Sequence, residues 1–362
     1  ELIISLVKAN IVLAVLLTNT ILLIWFERKV VAGMQSRVGP DRAGPFGILQ
    51  TLADAIKLLL KEQILPSKAD RAMYLLAPLI ALVPSFLIFM IIPLGPDITV
   101  EWQNALYTIP LVGADLNVGV LYFLALSSIA VYSVVLAGWS SGSKYPLLGG
   151  VRASAQMISY EAAMGLALVP VILYSGSLSL VDIVNSQSGN LSSSIPILNT
   201  IVSFIPKWNI FPQFVAFGIF FIAAVAEVNR APFDLVEAEQ ELVGGFHTEY
   251  SGFRFAMFFL AEYINMFNMC AITATFFLGG WLGPTFEGIL PPIFSVIMPI
   301  IWLGVKTFLL LFVFVWIRAT LPRLRYDQLM ELGWKRMIPL SLVWLILSAI
   351  VLGLREFGLP WS

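Results

Sequence analysis

Eight apolar runs, each near the ~20 residues that carry a helix across a bilayer, divide this chain almost from end to end. Their expected bounds are Leu2–Phe26, Ala72–Leu94, Val118–Gly138, Ala153–Tyr174, Phe211–Ala226, Phe255–Gly279, Val296–Trp316 and Ile338–Leu354. Hydrophobic side chains make up 59% of the 362 residues and charged ones 12%, about half the charged share of a soluble domain. Hydrocarbon offers a backbone amide no partner, so such runs must satisfy their own hydrogen bonds as helices or closed barrels. The alternating pattern of barrel strands is absent from the sequence. The expectation is an all-α polytopic membrane protein of about eight transmembrane helices, one integral membrane domain over residues 1–362. The first run is too long for a signal peptide, lacks a small-residue cleavage site and ends on Glu27-Arg28-Lys29, so it reads as a retained helix.

Lysine and arginine set the orientation. The connections after the first, third, fifth and seventh runs hold Arg28, Lys29, Arg37, Arg42, Lys57, Lys61, Lys68 and Arg71; Lys144 and Arg152; Arg230 and Arg254; and Arg318, Arg323, Arg325, Lys335 and Arg336. The other side offers Lys8, Lys207 and Arg355. The basic side is therefore the cytoplasmic one, or its equivalent. The net charge of −1 conceals this asymmetry and gives no reason to expect nucleic acid. A lone cysteine, Cys270, lies within an apolar run and reads as a buried thiol.

Several chemistries have no residues to support them. There is no cysteine cluster for iron–sulfur ligation, and no G-x-G-x-x-G or P-loop. The single histidine, His247, cannot provide bis-histidine haem ligation or a histidine metal site. Any redox cofactors that this chain serves must sit in other chains; no metal or covalently held cofactor is expected here.

The first connection has structure of its own. Residues 46–62 place Leu49, Leu52, Ala53, Ile56, Leu59 and Leu60 on one helical face, with Gln50, Asp54, Lys57 and Lys61 on the other. This is an amphipathic helix too short and too charged to span. It reads either as an interfacial anchor or as one wall of a cavity open at the membrane surface.

Carboxylates carry the functional signal. Glu161 and Glu262 fall inside the fourth and sixth runs, and Lys306 inside the seventh. A charge at mid-bilayer costs roughly 2.5–3.5 kcal/mol on insertion scales and faces the bundle interior or an ion route. The plainer alternative is a neutral buried carboxyl, or a Glu–Lys pair that locks helices. The fifth connection, residues 227–253, adds Glu227, Asp234, Glu237, Glu239, Glu241 and Glu249. Asp234 and Glu237 fit a helix capping box, so part of this acidity is helix architecture. Pro232 fits a sharp break. Crowded or buried carboxylates move their pKa toward neutrality, where they can take up and release protons. The last basic stretch, residues 318–336, carries Arg318, Arg323 and Arg325 as candidate partners of the acidic loop or of another subunit.

Four long motifs resemble one family in order: Glu27–Glu62 (E-R-K-V-V-A-G-M-Q-S-R-V-G-P-D-R-A-G-P-F-G-I-L-Q-T-L-A-D-A-I-K-L-L-L-K-E), Gly138–Glu161, Glu227–Gly252 and Arg318–Met330 (R-A-T-L-P-R-L-R-Y-D-Q-L-M). The chain resembles the complex I membrane subunit family known as the H subunit of NADH-quinone oxidoreductase, or subunit 1. Within it the chain most resembles the cyanobacterial and plastid form from NAD(P)H–plastoquinone oxidoreductase. The resemblance implies a transporter-like five-helix half-fold in the second to sixth spans. It also implies a role in forming a quinone chamber and its membrane entrance at the junction with a peripheral arm. By the same resemblance, Glu27, Arg28, Arg37, Gln50, Asp54 and Lys57 belong to the quinone passage. Asp234, Glu237, Glu239, Glu241 and Glu249 belong to an acidic coupling loop. Glu161, Glu227 and Glu262 belong to a proton route, and Arg318, Arg323 and Arg325 to a face that docks the peripheral arm.

The function so implied is energy coupling. A partner's iron–sulfur cluster reduces plastoquinone or another quinone, the acidic loop senses the change, and the membrane carboxylates pass it to pumping subunits. Implied partners are the other membrane and peripheral subunits, quinone and membrane lipid, with NADH, NADPH and ferredoxin all open as electron donors. The implied location is a cyanobacterial or plastid thylakoid membrane. Two rival readings are an independent ion-coupled secondary transporter using Glu161 and Glu262, and a structural anchor whose charges serve only docking.

Overall fold

The computed structural model describes residues 2–102, 105–189, 206–235, 243–284 and 293–357. Among them, seven helices are long and apolar enough to cross a membrane, and a shorter apolar helix makes the eighth. In chain order the helices are α1 (Leu2–Met34), α2 (Leu49–Leu60), α3 (Arg71–Met90), α4 (Gly119–Ser140), α5 (Lys144–Ser175), α6 (Leu180–Ser186), α7 (Phe214–Glu227), α8 (Gly252–Phe277), α9 (Ile293–Thr320), α10 (Tyr326–Glu331) and α11 (Ile338–Phe357). One antiparallel ribbon, β1 (Ile98–Trp102) with β2 (Ala105–Ile109), pairs Ile98 with Ile109 between α3 and α4. The all-α polytopic expectation holds, with this ribbon as a small addition.

Helices α3, α4, α5, α7 and α8 pack as one bundle, with α8 returning against α3, and α1, α9 and α11 lie around it. The core runs through Phe123, Tyr160, Met164, Phe220, Ile264, Phe276 and Phe277, all almost wholly buried. A second cluster at the basic end joins Tyr74, Val134, Met157, Phe246, Tyr250 and Phe258. There Tyr74 and Tyr250 stack at 4.1 Å, and each hydroxyl donates to a backbone carbonyl, Tyr74 to Glu249 at 2.7 Å and Tyr250 to Tyr74 at 3.2 Å. These contacts bring the first, third and fifth connections to the same end of the bundle. Asp70 caps α3 by accepting from the amides of Ala72 and Met73, which fixes where the chain re-enters the apolar layer.

Several bounds differ from the sequence reading, each for a physical reason. Helix α1 runs on past Phe26 to Met34, because Glu27 is neutralised by arginines from elsewhere in the fold. Helix α5 begins at Lys144 rather than Ala153. Pro146 sits in its first turn, where proline is tolerated, and Gly149 allows close packing: a Cβ there would stand 2.6 Å from Gly245 Cα. Helix α7 has 14 residues, roughly 21 Å of helix, and starts after Pro212. The amphipathic helix is Leu49–Leu60 rather than 46–62. Phe46 and Gly47 have φ of 55° and 77°, and a Cβ on Gly47 would meet Pro40 O at 2.2 Å. The basic stretch 318–336 is not one loop. It contains the end of α9, a short turn, α10, and a π-helical turn Leu332–Met337 that leads into α11.

Helix α2 turns Gln50 and Asp54 of its polar side inward and leaves Lys57 and Lys61 exposed. Gln50 and Asp54 face Arg28 of α1, while Leu52, Ile56, Leu59 and Leu60 are exposed. A soluble helix does the reverse. This orientation suits an apolar face laid against acyl chains.

Candidate functional site

At the basic end, α1, α8, α9 and the turn after α7 bring four charges together. Arg230 Nη1 donates to Glu27 Oε1 at 3.1 Å, and Arg230 Nε lies 2.8 Å from Glu262 Oε1. Arg318 donates to the same Glu27 oxygen. The Arg230 guanidinium also lies over the Tyr263 ring, 4.4 Å from its centre, a cation–π contact strengthened by burial. Glu27 and Arg230 are buried. Burial alone would lower the Arg230 pKa, but the charges of Glu262 and Glu27 outweigh it and hold the guanidinium well above its ordinary value. Two carboxylates and two guanidinium groups make the set formally neutral, the condition for keeping charges out of water.

This set borders a cavity of about 600 Å³, lined by Glu27, Arg28, Gln35, Arg37, Tyr263 and Arg318 together with Val31, Val38 and Pro40. Arg28 bonds Asp54 Oδ2 at 2.7 Å, Gln50 donates to Asp54 Oδ1 at 3.3 Å, and Lys57 lies 3.6 Å from the same carboxylate. Partial burial tends to raise the Asp54 pKa, but the bond and charge of Arg28, with help from Gln50 and Lys57, bring it below the usual range. Arg37 donates to Gln35 at 2.6 Å. The structure thus brings Glu27, Arg28 and Arg37 to one cavity, with Gln50, Asp54 and Lys57 bracing its rim from α2.

A second constellation lies deeper. Adjacent serines on α4 each donate to a carboxylate: Ser127 to Glu227 at 2.7 Å, and Ser128 to Glu161. Glu227 Oε2 and Asn265 Oδ1 are buried without a hydrogen-bond partner among the described residues. Both residues line a small cavity of about 60 Å³, whose wall also includes Asn229, His247 and Glu262. His247 packs against Phe246, Phe255, Phe258 and Phe259, and burial pushes its pKa down to about 3. Glu262 therefore belongs to both places: it pairs with Arg230 beside the large cavity and walls the small one beside Glu227.

The acidic stretch divides. Glu227 ends α7, buried and bonded to Ser127, rather than standing in a loop. Asp234 is also buried and accepts from Arg323 at 3.1 Å. Glu249 is half-buried beside Tyr74. Glu237, Glu239 and Glu241, and with them the expected capping box, lie outside the described residues. The three arginines part company as well: Arg318 reaches Glu27, Arg323 reaches Asp234, and exposed Arg325 pairs with Asp327 next to it. Lys306 forms no helix-locking pair with Glu262. Its ammonium donates to the carbonyls of Leu278, Gly280 and Leu282 at the opposite end of the bundle. Among the described residues no group of three or more His, Cys, Asp or Glu could hold a metal ion.

Sequence reasoning missed Arg230, Tyr263, Ser127, Ser128, Asn265 and the cavity face of His247. Arg230 had a usable signal, a guanidinium three residues after Glu227 in V-N-R-A-P-F. The serines had none, since their partners lie 100 and 33 residues away.

Comparison with known proteins places this arrangement in a family. A sequence model described as NADH dehydrogenase matches residues 7–349. The chain is 47% identical over 362 residues to the NADH-quinone oxidoreductase H subunit numbered 2 of Koribacter versatilis, covering 98% of each chain. It is 50% identical over 346 residues to the NADH-quinone oxidoreductase H subunit of Ralstonia nicotianae, covering 96% of this chain and 91% of the relative. It is 52% identical over 346 residues to the corresponding H subunit of Frankia casuarinae, covering 95% and 72%. A match of this extent leaves one conclusion: the chain belongs to the NADH dehydrogenase family, among the H subunits of NADH-quinone oxidoreductase.

Proposed function

We propose that this chain is a membrane subunit of a proton-translocating NADH-quinone oxidoreductase. In that role it supplies the membrane-side wall of a quinone passage and links quinone reduction to proton movement. The relatives' names support the reaction, and on this reading the redox centres lie in partner subunits, since the sequence offers no iron–sulfur or bis-histidine haem ligand set.

The observation that carries the coupling role is the double membership of Glu262. The large cavity combines apolar Val31, Val38 and Pro40 with arginines and Tyr263, a lining suited to an apolar ring with polar oxygens. Negative charge or proton demand arising there acts on Glu27, Tyr263 and Arg318. Arg230 is the shared counter-charge of Glu27 and Glu262, so a change in Glu27's demand alters what Arg230 gives Glu262. Glu262 faces the small cavity with Glu227, which has room for a few water molecules. Glu227 and Glu161 then sit on adjacent serines. On this reading these residues make up a polar path from the cavity at the basic end into the bundle. Asp234 and Arg323 tie the acidic segment to the basic one beside it, and Glu237, Glu239, Glu241 and Glu249 are proposed to extend the path toward the peripheral arm.

The finer expectation of a plastoquinone-reducing thylakoid enzyme draws no support from relatives named for quinone alone. The reading adopted is a quinone of unspecified kind in a bacterial membrane, with NADH as the donor those names support. The rival transporter reading predicts ion-coupled uptake by the isolated chain in vesicles. The experiment that tests the proposal is Glu262→Gln in the assembled membrane complex. It should reduce proton translocation driven by quinone reduction while the complex remains intact. Full turnover with full pumping would sink the proposal.

A further inference from the structure

Six residues of α5, Gln156 to Glu161, join the end of α7, the start of the acidic segment and the elements before α11. Gln156 is fully buried. Its Nε2 lies 2.8 Å from Ala226 O, 2.8 Å from Phe233 O and 3.2 Å from Asn229 Oδ1. Ala226 O lies at the C-terminal end of α7, where it also accepts from Asn229 N at 3.2 Å, and it immediately precedes Glu227. Phe233 O immediately precedes Asp234, which Arg323 holds. A single amide therefore joins the end of the Glu227 helix to the start of the acidic segment.

The next residues complete the junction. Ser159 Oγ accepts from Trp334 Nε1 at 2.9 Å, and the Tyr160 hydroxyl donates to Leu329 O at 2.9 Å. The Tyr160 ring also packs edge-on against Phe233, with centres 5.3 Å apart. Glu161 follows, held by Ser128. Within six residues α5 binds the acidic segment, α10, the π-helical turn before α11 and the membrane carboxylate.

Simple helix packing does not account for an amide at this position. An NH₂ group has two protons for three acceptors. The other end, Gln156 Oε1, is buried without a hydrogen-bond partner among the described residues. An unpaired buried acceptor is a penalty that an apolar side chain of the same length would avoid. What the amide contributes is therefore what its nitrogen holds.

We propose that Gln156 is a positioning residue for coupling. It sets the 226–234 backbone against the Glu161 turn, so that displacement of the acidic segment is transmitted to Glu161 and Glu227. This rests on the proton-translocating role proposed above. The test is Gln156→Met, of similar length but without the amide, beside Gln156→Asn, one methylene shorter, and Glu161→Gln as a benchmark. All are measured in the assembled membrane complex.

For Q156M the expected result is continued quinone reduction, with the protons moved per quinone falling about twofold or more, the scale on which residues outside a site modulate coupling. The pH profile of quinone reduction should also shift, which loss of packing alone would not produce. Amide hydrogen exchange over 228–235 should rise in the same sample. If Q156M fails to assemble, the same readings are taken on Q156N. Normal proton stoichiometry and pH profile in the assembled variant, or assembly by neither variant, overturns the proposal. Normal pumping in E161Q would instead overturn the underlying proton-route reading, and a defective E161Q beside a normal Q156M would sink only the role of Gln156.

Discussion

Replacing Arg230 with methionine removes the guanidinium that Glu27 and Glu262 share, and the structure allows its effect to be worked out. In the native set, Glu27 and Glu262 balance Arg230 and Arg318. Arg230→Met leaves Glu27 with Arg318 but deprives Glu262 of its guanidinium. Breaking a buried pair from one side costs roughly 3–5 kcal/mol, because the remaining charge stays buried. The side chains of Arg230 and Glu262 are only 6% and 17% exposed, so water can do little to relieve it. A second substitution, Glu262→Gln, restores neutrality and leaves the Glu27–Arg318 pair. The double variant should therefore be more stable than R230M alone, with a coupling energy of about 0.5–3 kcal/mol. Arg230→Lys should rescue poorly, since one ammonium cannot reproduce a planar fork that addresses two carboxylates and stacks on Tyr263. The assay is the apparent midpoint of thermal disassembly of the detergent-solubilised complex, compared among wild type, both single variants and the double variant. A midpoint in R230M equal to wild type, or a double variant that loses the sum of the two singles, would refute the shared-charge reasoning.

Three further outcomes are expected. Gly149→Ala should destabilise the complex by about 1–3 kcal/mol through overpacking, because its Cβ meets Gly245 backbone at 2.6–2.8 Å; Gly165→Ala, whose Cβ would meet Leu124 Cδ1 at 4.0 Å, serves as the control and should be neutral or slightly stabilising in the same thermal assay. His247 has a folded pKa of about 3, below the ~6.5 of an unfolded histidine, so the unfolded chain binds the extra proton between those values. The stability owed to this group is complete well above ~6.5 and declines as pH falls, by about 1 kcal/mol over the first unit below ~6.5 and up to about 1.4 kcal/mol per unit after that. His247→Gln should remove that part of the slope; identical slopes in the two proteins would contradict the assignment. Lys306→Met should cost about 1–3 kcal/mol by leaving the buried carbonyl of Gly280 and the part-buried ones of Leu278 and Leu282 without their ammonium donor, read as a lower thermal midpoint; an unchanged midpoint would argue against the ammonium's structural role.

The spans are legible in the sequence because hydrocarbon imposes a length and a composition that no tertiary contact can override. Their ends are less so. The charges Glu27 and Arg28 read as a boundary, yet α1 continues through them, since Arg230 lies 203 residues away along the chain. The fourth span reads from Ala153, yet α5 begins at Lys144, and Gly149 within the added turns makes a close contact with Gly245. The carboxylates stand out by type, but their grouping does not. Glu227 and Asp234 read as members of one acidic loop, whereas burial assigns them to Ser127 and Arg323. Arg230 enters the sequence reading only as a topology charge. A pairwise contact between distant segments leaves no periodicity, and a cavity shared by Glu227, Glu262 and His247 is a property of how separate segments meet rather than of any one of them.

The proposed coupling requires the buried carboxylates to respond, through Glu262, to events in the large cavity. Redox-induced infrared difference spectroscopy on the assembled complex tests this most directly, by recording the protonated-carboxyl carbonyl band on quinone reduction. Wild type should show a band change that is lost or altered in both Glu227→Gln and Glu262→Gln, and weakened in Arg230→Met. The same band change in wild type and in all three variants would contradict a route through Glu262.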